Sequence, residues 1–224
     1  MRPSSARFPP GNDFASTNEL CAVLTSVNQA DNTADFDWLR VVLLRSNERR
    51  ACLRTLREHG PLDAWLAAGF VRNAVFTHLF GPPRIPMVED LDVIYIDAAK
   101  LSRKYDRQFQ RALSGQLTAA WQVKNQARMA RRNKDSPYLD VNDALAHFPE
   151  TSTAVAVRLG GNGLEVLAPY GLADLRAGII RATPAISRQV FAERCTEKRW
   201  AERWPGIRFV EADGPEPALL PRRA

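Results

Sequence analysis

Hydrophobic positions mark out most of the chain between residues 35 and 210. A first helix is expected over WLRVVLLR, capped by Asp35 or Asp37, and a second over ERRACLRTLREH, capped by Ser46 or Asn47 and stopped by Gly60. Leu62 to Gly69 suits a short buried strand that ends in a glycine turn. Val71, Ala74, Val75, His78 and Leu79 then recur at helical spacing, until Gly81-Pro82-Pro83 breaks the pattern. His78 falls on that apolar face and reads as a core histidine. Leu91 to Asp97 (LDVIYID) is the strongest strand signal, β-branched and aromatic without Gly or Pro.

Further on, a basic helix is expected over 101–114, a strand over Trp121 to Met129, and a short helix beginning at Asp140 or Asn142. Thr153 to Leu159 and Leu164 to Ala168, joined by Gly160-Gly161-Asn162-Gly163, form a hairpin pattern. Helices over 171–180 and 187–203 close the body, with Cys195 packing in the last one. Residues 1–34, rich in Ser, Pro, Asn and Asp, read as a flexible arm, and 211–224 as a flexible tail. The body, 35–210, reads as one α/β unit.

Composition narrows the function classes. Three widely separated cysteines exclude a disulfide framework or a CxxC zinc site, and three scattered histidines exclude an HExxH site. No apolar run approaches the length of a membrane span, and the amino-terminal stretch lacks the apolar core of a secretory signal. A cytoplasmic location follows as the default expectation, with no membrane partner. Lys and Arg exceed Asp and Glu by 31 − 25 = 6, which favours polyanionic partners. The excess concentrates at Arg103 to Arg111 and at Lys124 to Lys134, although such runs commonly form solvated faces.

Asp90 and Asp92 carry the chemistry. Side chains alternate along a strand, so both carboxylates project from one face at the start of LDVIYID. Unpaired, they repel; a divalent cation relieves the conflict, and Mg²⁺ takes one or two carboxylates together with substrate phosphates. Upstream, Gly69 opens a helix whose free N–H groups and dipole can cradle phosphate, and Arg72 in its first turn can add a bidentate grip. Twenty-one residues separate Gly69 from Asp90, enough for the helix and a return loop.

The elements Gly69-Phe70-Val71-Arg72-Asn73, Asp90-Leu91-Asp92-Val93 and Lys124-Asn125-Gln126-Ala127-Arg128-Met129 together resemble a bacterial nucleotidyltransferase-like family within the polymerase-beta-type nucleotidyltransferase superfamily. Phe148-Pro149-Glu150-Thr151 and Ala168-Pro169-Tyr170-Gly171-Leu172 extend the resemblance, which runs from about residue 38 to 208. It implies an α+β fold: a small mixed sheet with flanking helices. It also implies NTP as donor and Mg²⁺ as cofactor. Asp90 and Asp92 would be catalytic metal ligands, and Gly69, Phe70, Arg72, Asn73, Lys124 and Arg128 nucleotide-binding residues. If WQVKNQARM is one strand, Lys124 and Arg128 share a face and Asn125 points the other way.

Three departures from the superfamily pattern stand out. Beside Gly69 stand Ala68 and Phe70 where the superfamily has a second small residue; against the GGxVRD element of tRNA-tailing nucleotidyltransferases Ala68 stands for the first glycine and Asn73 for the aspartate; and WQVKNQARM lacks the third carboxylate expected on that strand. Glu165 or Glu150 are the candidates to replace it in space. The expected function is Mg²⁺-dependent transfer of a nucleoside monophosphate from an NTP; the alternative is a catalytically lapsed nucleotide- or RNA-binding module. Few aromatics accompany the basic residues, so a small-molecule or protein acceptor is favoured over RNA.

Overall fold

A computed structural model describes residues 34–211. The expected arm and tail lie outside the described residues, apart from Ala34 and Glu211. Helix α1 covers 34–44, so Asp35 and Asp37 sit within it rather than cap it. Helix α2 (Asn47–His59) starts at Ser46, whose hydroxyl accepts from the Arg49 amide, and ends at Gly60.

Strand β1 (Trp65–Ala67) leads through Ala68 into α3 (Gly69–Phe80). Next come β2 (Leu91–Tyr95), α4 (Arg103–Gln116) and β3 (Trp121–Asn125). After α5 (Gln126–Asn133) and α6 (Val141–Ala146), β4 (Ala156–Gly160) and β5 (Gly163–Leu167) form the expected hairpin. Asp140 caps α6 through its side chain.

The five strands make one mixed sheet in the order β3-β2-β1-β4-β5, with β2 and β3 parallel and the other pairs antiparallel. Ala67 is paired with Asp92 and Asp92 with Gln122, so the end of β1 lies directly beside the second aspartate. Strand alternation sends Leu66, Val93 and Tyr95 into the main core with Leu53, Phe70 and Phe76. Trp65, Ala67 and Ile94 go to a smaller cluster with Val141 and Leu145 of α6. β2 is therefore covered on both faces, and its polar entrance at Asp90 and Asp92 is where that cover stops. The fold is the α+β architecture the resemblance implied.

Three expected elements differ in extent. The strand from Trp121 stops at Asn125, because the Asn125 side chain accepts from the Ala127 amide and caps α5. The helix expected over 171–180 is only α7 (Ala173–Arg176); Gly178, at φ 66°, breaks it, and Ile179–Arg181 becomes β6. β6 pairs in parallel with β7 (Arg208–Val210) in a separate two-stranded sheet. The closing helix divides at Arg199 into α8 (Arg188–Lys198) and α9 (Trp200–Arg203).

His78 is exposed, against the expectation of a core position. It lies in the last turn of α3, beyond the buried set Phe70, Val71, Val75 and Phe76, and meets the Trp38 ring edge-on at 6.1 Å. Cys195 is half-buried against the core, and burial raises its thiol pKa to about 11, which fits packing. No helix among the described residues is long and apolar enough to cross a membrane.

Candidate active site

A cavity of about 650 Å³ opens at the carboxyl end of β1 and the start of β2. Gly69, Arg72, Asn73, Asp90, Asp92 and Lys124 all line it, so the chain brings together six of the eight residues singled out from the sequence. Phe70 and Arg128 lie elsewhere. The Phe70 ring is fully buried in the main core, though its amide still belongs to the first turn of α3. Arg128, on α5, grips the buried Asp106 at 2.7 Å and lines a neighbouring hollow.

Ala68 sets the direction of α3. Its amide donates to the Val155 carbonyl, and its own carbonyl accepts from Val71 and Arg72. Its backbone, at φ 52° and ψ −115°, is a conformation that favours glycine, so the alanine is strained there. The first helical amides, at Gly69 and Phe70, have no intrahelical acceptor and carry the positive end of the helix dipole. A Cβ added at Gly69 would lie 3.3 Å from Asn73 Nδ2, 3.8 Å from an Arg72 guanidinium nitrogen and 3.8 Å from the Asp90 carbonyl. The missing side chain thus leaves open a gap bounded by the helix start and the aspartate loop, a place for an anion.

Arg72 is 7% exposed and has no carboxylate partner among the described residues. It donates to Thr153 Oγ1 at 2.9 Å and to Asn73 Oδ1 at 3.0 Å, and its guanidinium stacks 4.9 Å from the Trp200 ring. Burial lowers its pKa to about 10. Arg72 Nε, Ser152 Oγ, Trp200 Nε1 and Arg203 Nε are the buried side-chain polar atoms without a hydrogen-bond partner among the described residues. All four can donate: two belong to the Arg72–Trp200 pair itself, Arg203 lies one helical turn beyond Trp200 on α9, and Ser152 precedes Thr153, which accepts from Arg72. Of these residues Arg72 and Arg203 line the cavity, and donors without acceptors suit an anion there.

The two aspartates differ. Asp90 is exposed, with no side-chain partner among the described residues. Asp92 is held by Lys124, Nζ to Oδ1 at 2.6 Å. Neither candidate third acid reaches them. Glu165 pairs with Arg158 at 2.6 Å on the β4–β5 hairpin and lines another hollow. Glu150 is fully buried, held by Arg194 at 2.5 Å. The other carboxylate lining the cavity is Glu197 of α8, and among the described residues no group of three His, Cys, Asp or Glu side chains could hold a metal. A pair of carboxylates still fits a cation such as Mg²⁺, which completes its shell with water and substrate phosphates.

Sequence reasoning missed two contributions. Glu89 receives both oxygens' worth of hydrogen bonds from Arg49 at 3.0 Å and one from Asn73 at 3.0 Å, while Arg49 also donates to the Phe70 carbonyl. This network ties α2, the start of α3 and the aspartate loop together, and Asn73 serves there as a brace. Only the acidic character of Glu89 was visible, not its distant partner. The second contribution comes from α8 and α9, whose Arg194, Lys198 and Arg203 line the cavity.

A nucleotidyltransferase family profile matches residues 54–209, more than half of the sequence, and the chain belongs to that family. A solved structure described as revealing a CCA-adding enzyme head domain is similar over 78% of this chain and 95% of its own, at 28% identity and a TM-score of 0.68. A CCA-adding enzyme in complex with CTP aligns over 71% of this chain at 18% identity and a TM-score of 0.42; this chain spans 38% of its length. An apo tRNA-processing enzyme aligns over 71% of this chain and 42% of its own, at 19% identity and a TM-score of 0.43. No curated protein matches the chain.

Proposed function

We propose that this nucleotidyltransferase takes an NTP and Mg²⁺ into the cavity at Asp90 and Asp92 and transfers the nucleoside monophosphate to an acceptor hydroxyl. The carrying observation is the meeting, in one cavity, of a bare helix N-terminus, the buried Arg72 with no ion-pair partner among the described residues, and the carboxylates of Asp90 and Asp92 at the start of β2. The amides of Gly69 and Phe70 and the Arg72 guanidinium hold the β and γ phosphates. Lys198 and Arg203 add positive charge to the lining of the cavity.

Asp90 and Asp92 would hold the divalent cation, which, when bound, neutralises charge on the reacting phosphate. The acceptor oxygen bonds to the α-phosphorus and the bond to the bridging oxygen breaks. Pyrophosphate leaves and the hydroxyl proton passes to solvent. Positioning supplies much of the acceleration, since the groups are fixed by β1, β2 and α3 before substrate arrives.

The test is label transfer from each common α-labelled NTP in the presence of Mg²⁺ and cell extract. Labelled acceptor plus pyrophosphate is expected from the wild type, and neither from Asp92→Asn. Transfer that survives in both Asp90→Asn and Asp92→Asn overturns the assignment. A second reading, a nucleotide-binding module without catalysis, is favoured by one observation: Lys124 occupies Asp92 where β3 lacks an acid. Mg²⁺-dependent NTP binding without any transfer supports it.

A further inference from the structure

We infer that the groove between α4 and α5 binds the phosphodiester backbone of a single-stranded nucleic acid and leads its end to Asp92. The inference rests on the nucleotidyl-transfer reading above. Arg103, Arg107 and Arg111 recur every four residues and so form one ladder along α4, and Arg128 and Arg132 form a second along α5. Because β3 ends at Asn125, Arg128 and Arg132 stand on a helix facing α4 rather than on a sheet edge. Arg103 and Arg107 of the first ladder and both arginines of the second border a hollow of about 600 Å³.

Arg128 is committed to Asp106, but Arg103, Lys104, Arg107, Arg111 and Arg132 are exposed, with no ion-pair partner among the described residues. Lys124 and Met129 line both this hollow and the Asp90/Asp92 cavity, so the basic track runs without interruption into the site.

Stereochemistry fixes which molecule comes along it. Phosphoryl-type displacement runs with attacking and leaving oxygens roughly in line. Pyrophosphate departs toward the start of α3, on the β1 side of the aspartates. In the order β3-β2-β1 the acceptor then approaches over β3, whose Gln122, Val123 and Lys124 line the same hollow as the arginines. Four residues of helix advance about 6 Å, so each ladder offers a row of regularly spaced cations to a repeating anion. No aromatic side chain lines the hollow, so the groove holds backbone rather than reading bases. The expectation of a small-molecule or protein acceptor took that lack of aromatics as evidence against RNA; a backbone-reading groove needs none.

The test is fluorescence anisotropy of a labelled RNA of about 12 nucleotides, and a DNA of the same sequence, on the full chain. Binding to RNA is expected, with a log–log salt slope of about −3 to −4 for five phosphate contacts. The triple variant Arg103→Gln, Arg107→Gln, Arg132→Gln should be shallower by about 2 and weaker by at least tenfold at low salt. Its Mg²⁺–ATP affinity by calorimetry should be unchanged, because none of the three lines the aspartate cavity. Loss of ATP binding in the wild type would defeat the nucleotidyl-transfer reading instead. The inference is overturned if the wild type binds neither strand at low salt, if the triple variant binds RNA as tightly, or if poly-glutamate displaces RNA at equal charge concentration.

Discussion

Lys124 reaches along the parallel β2–β3 ladder and holds Asp92, Nζ to Oδ1 at 2.6 Å, while Asp90 two residues earlier has no partner among the described residues. The lysine therefore supplies, in the free protein, the positive charge that a cation would supply with substrate. Mg²⁺ alone should compete poorly, and the wild-type melting temperature should not move when it is added. In Lys124→Ala, the aspartates are left to repel each other, and Mg²⁺ should then raise the melting temperature by a few degrees. Equal responses of the two proteins in a thermal scan would count against the pairing as a charge substitute.

Arg72 should behave as a residue kept for ligand rather than for folding. It is buried without an ion-pair partner among the described residues, and its pKa of about 10 lies below the ordinary value because burial disfavours the charged form. The folded state therefore binds its proton less tightly than the unfolded state. The resulting penalty is fully present at neutral pH and fades only as pH rises above about 10. Arg72→Met should change stability by no more than about 1 kcal/mol in either direction. ATP affinity should fall at least tenfold, as read by calorimetry. A large stability loss with unchanged ATP binding would assign Arg72 to the core.

Ala68 is predicted to be improvable. At φ 52° the alanine costs about 1–3 kcal/mol, and glycine adopts that conformation freely at an entropic cost of about 0.5–1 kcal/mol. Ala68→Gly should stabilise the protein by about 1 kcal/mol net in urea unfolding, with nucleotide binding retained. Ala68→Val, β-branched at the same φ, should destabilise it. The reverse order of the two variants would show that the turn relaxes rather than stores strain.

Glu89 joins Arg49 and Asn73 and so couples α2 to both halves of the site. Glu89→Ala leaves two partly buried donors without their acceptor, at a cost of about 1–3 kcal/mol. It should also weaken ATP binding although Glu89 does not line the cavity, and Glu89→Gln should recover part of both losses. Chemical denaturation and calorimetry on the two variants check this. Wild-type ATP affinity in Glu89→Ala would reduce the network to a surface brace.

Sequence pattern made some of this visible and hid the rest, for physical reasons. Leu91 to Tyr95 was legible because both faces of that strand are covered, so only its start tolerates charge. Gly69 and Arg72 were legible because helix starts have fixed chemistry. The switch at Asn125 was hidden because WQVKNQARM carries strand period in its first half, and the cap that ends it is a single side chain. The strand Ile179–Arg181, whose first two residues fall in the helix expected over 171–180, is hidden because its partner, Arg208–Val210, is distant in sequence. His78 was misplaced because helical periodicity shows which face is apolar, not where the core ends along the axis. Arg49–Glu89 and Arg128–Asp106 join residues 40 and 22 positions apart, and no local signal reports such pairs.

Under the proposed function, Asp90 and Asp92 would hold a divalent cation against an NTP triphosphate lying at the start of α3. The most direct measurement is a crystal structure with Mn²⁺ and a non-hydrolysable ATP analogue, with the metal located by its anomalous signal. Expected is a metal peak beside both carboxylates and the analogue's phosphates, with Lys124 withdrawn from Asp92 and Arg72 facing the triphosphate. An analogue bound away from this cavity, or bound within it with no metal at Asp90 and Asp92, would contradict the account.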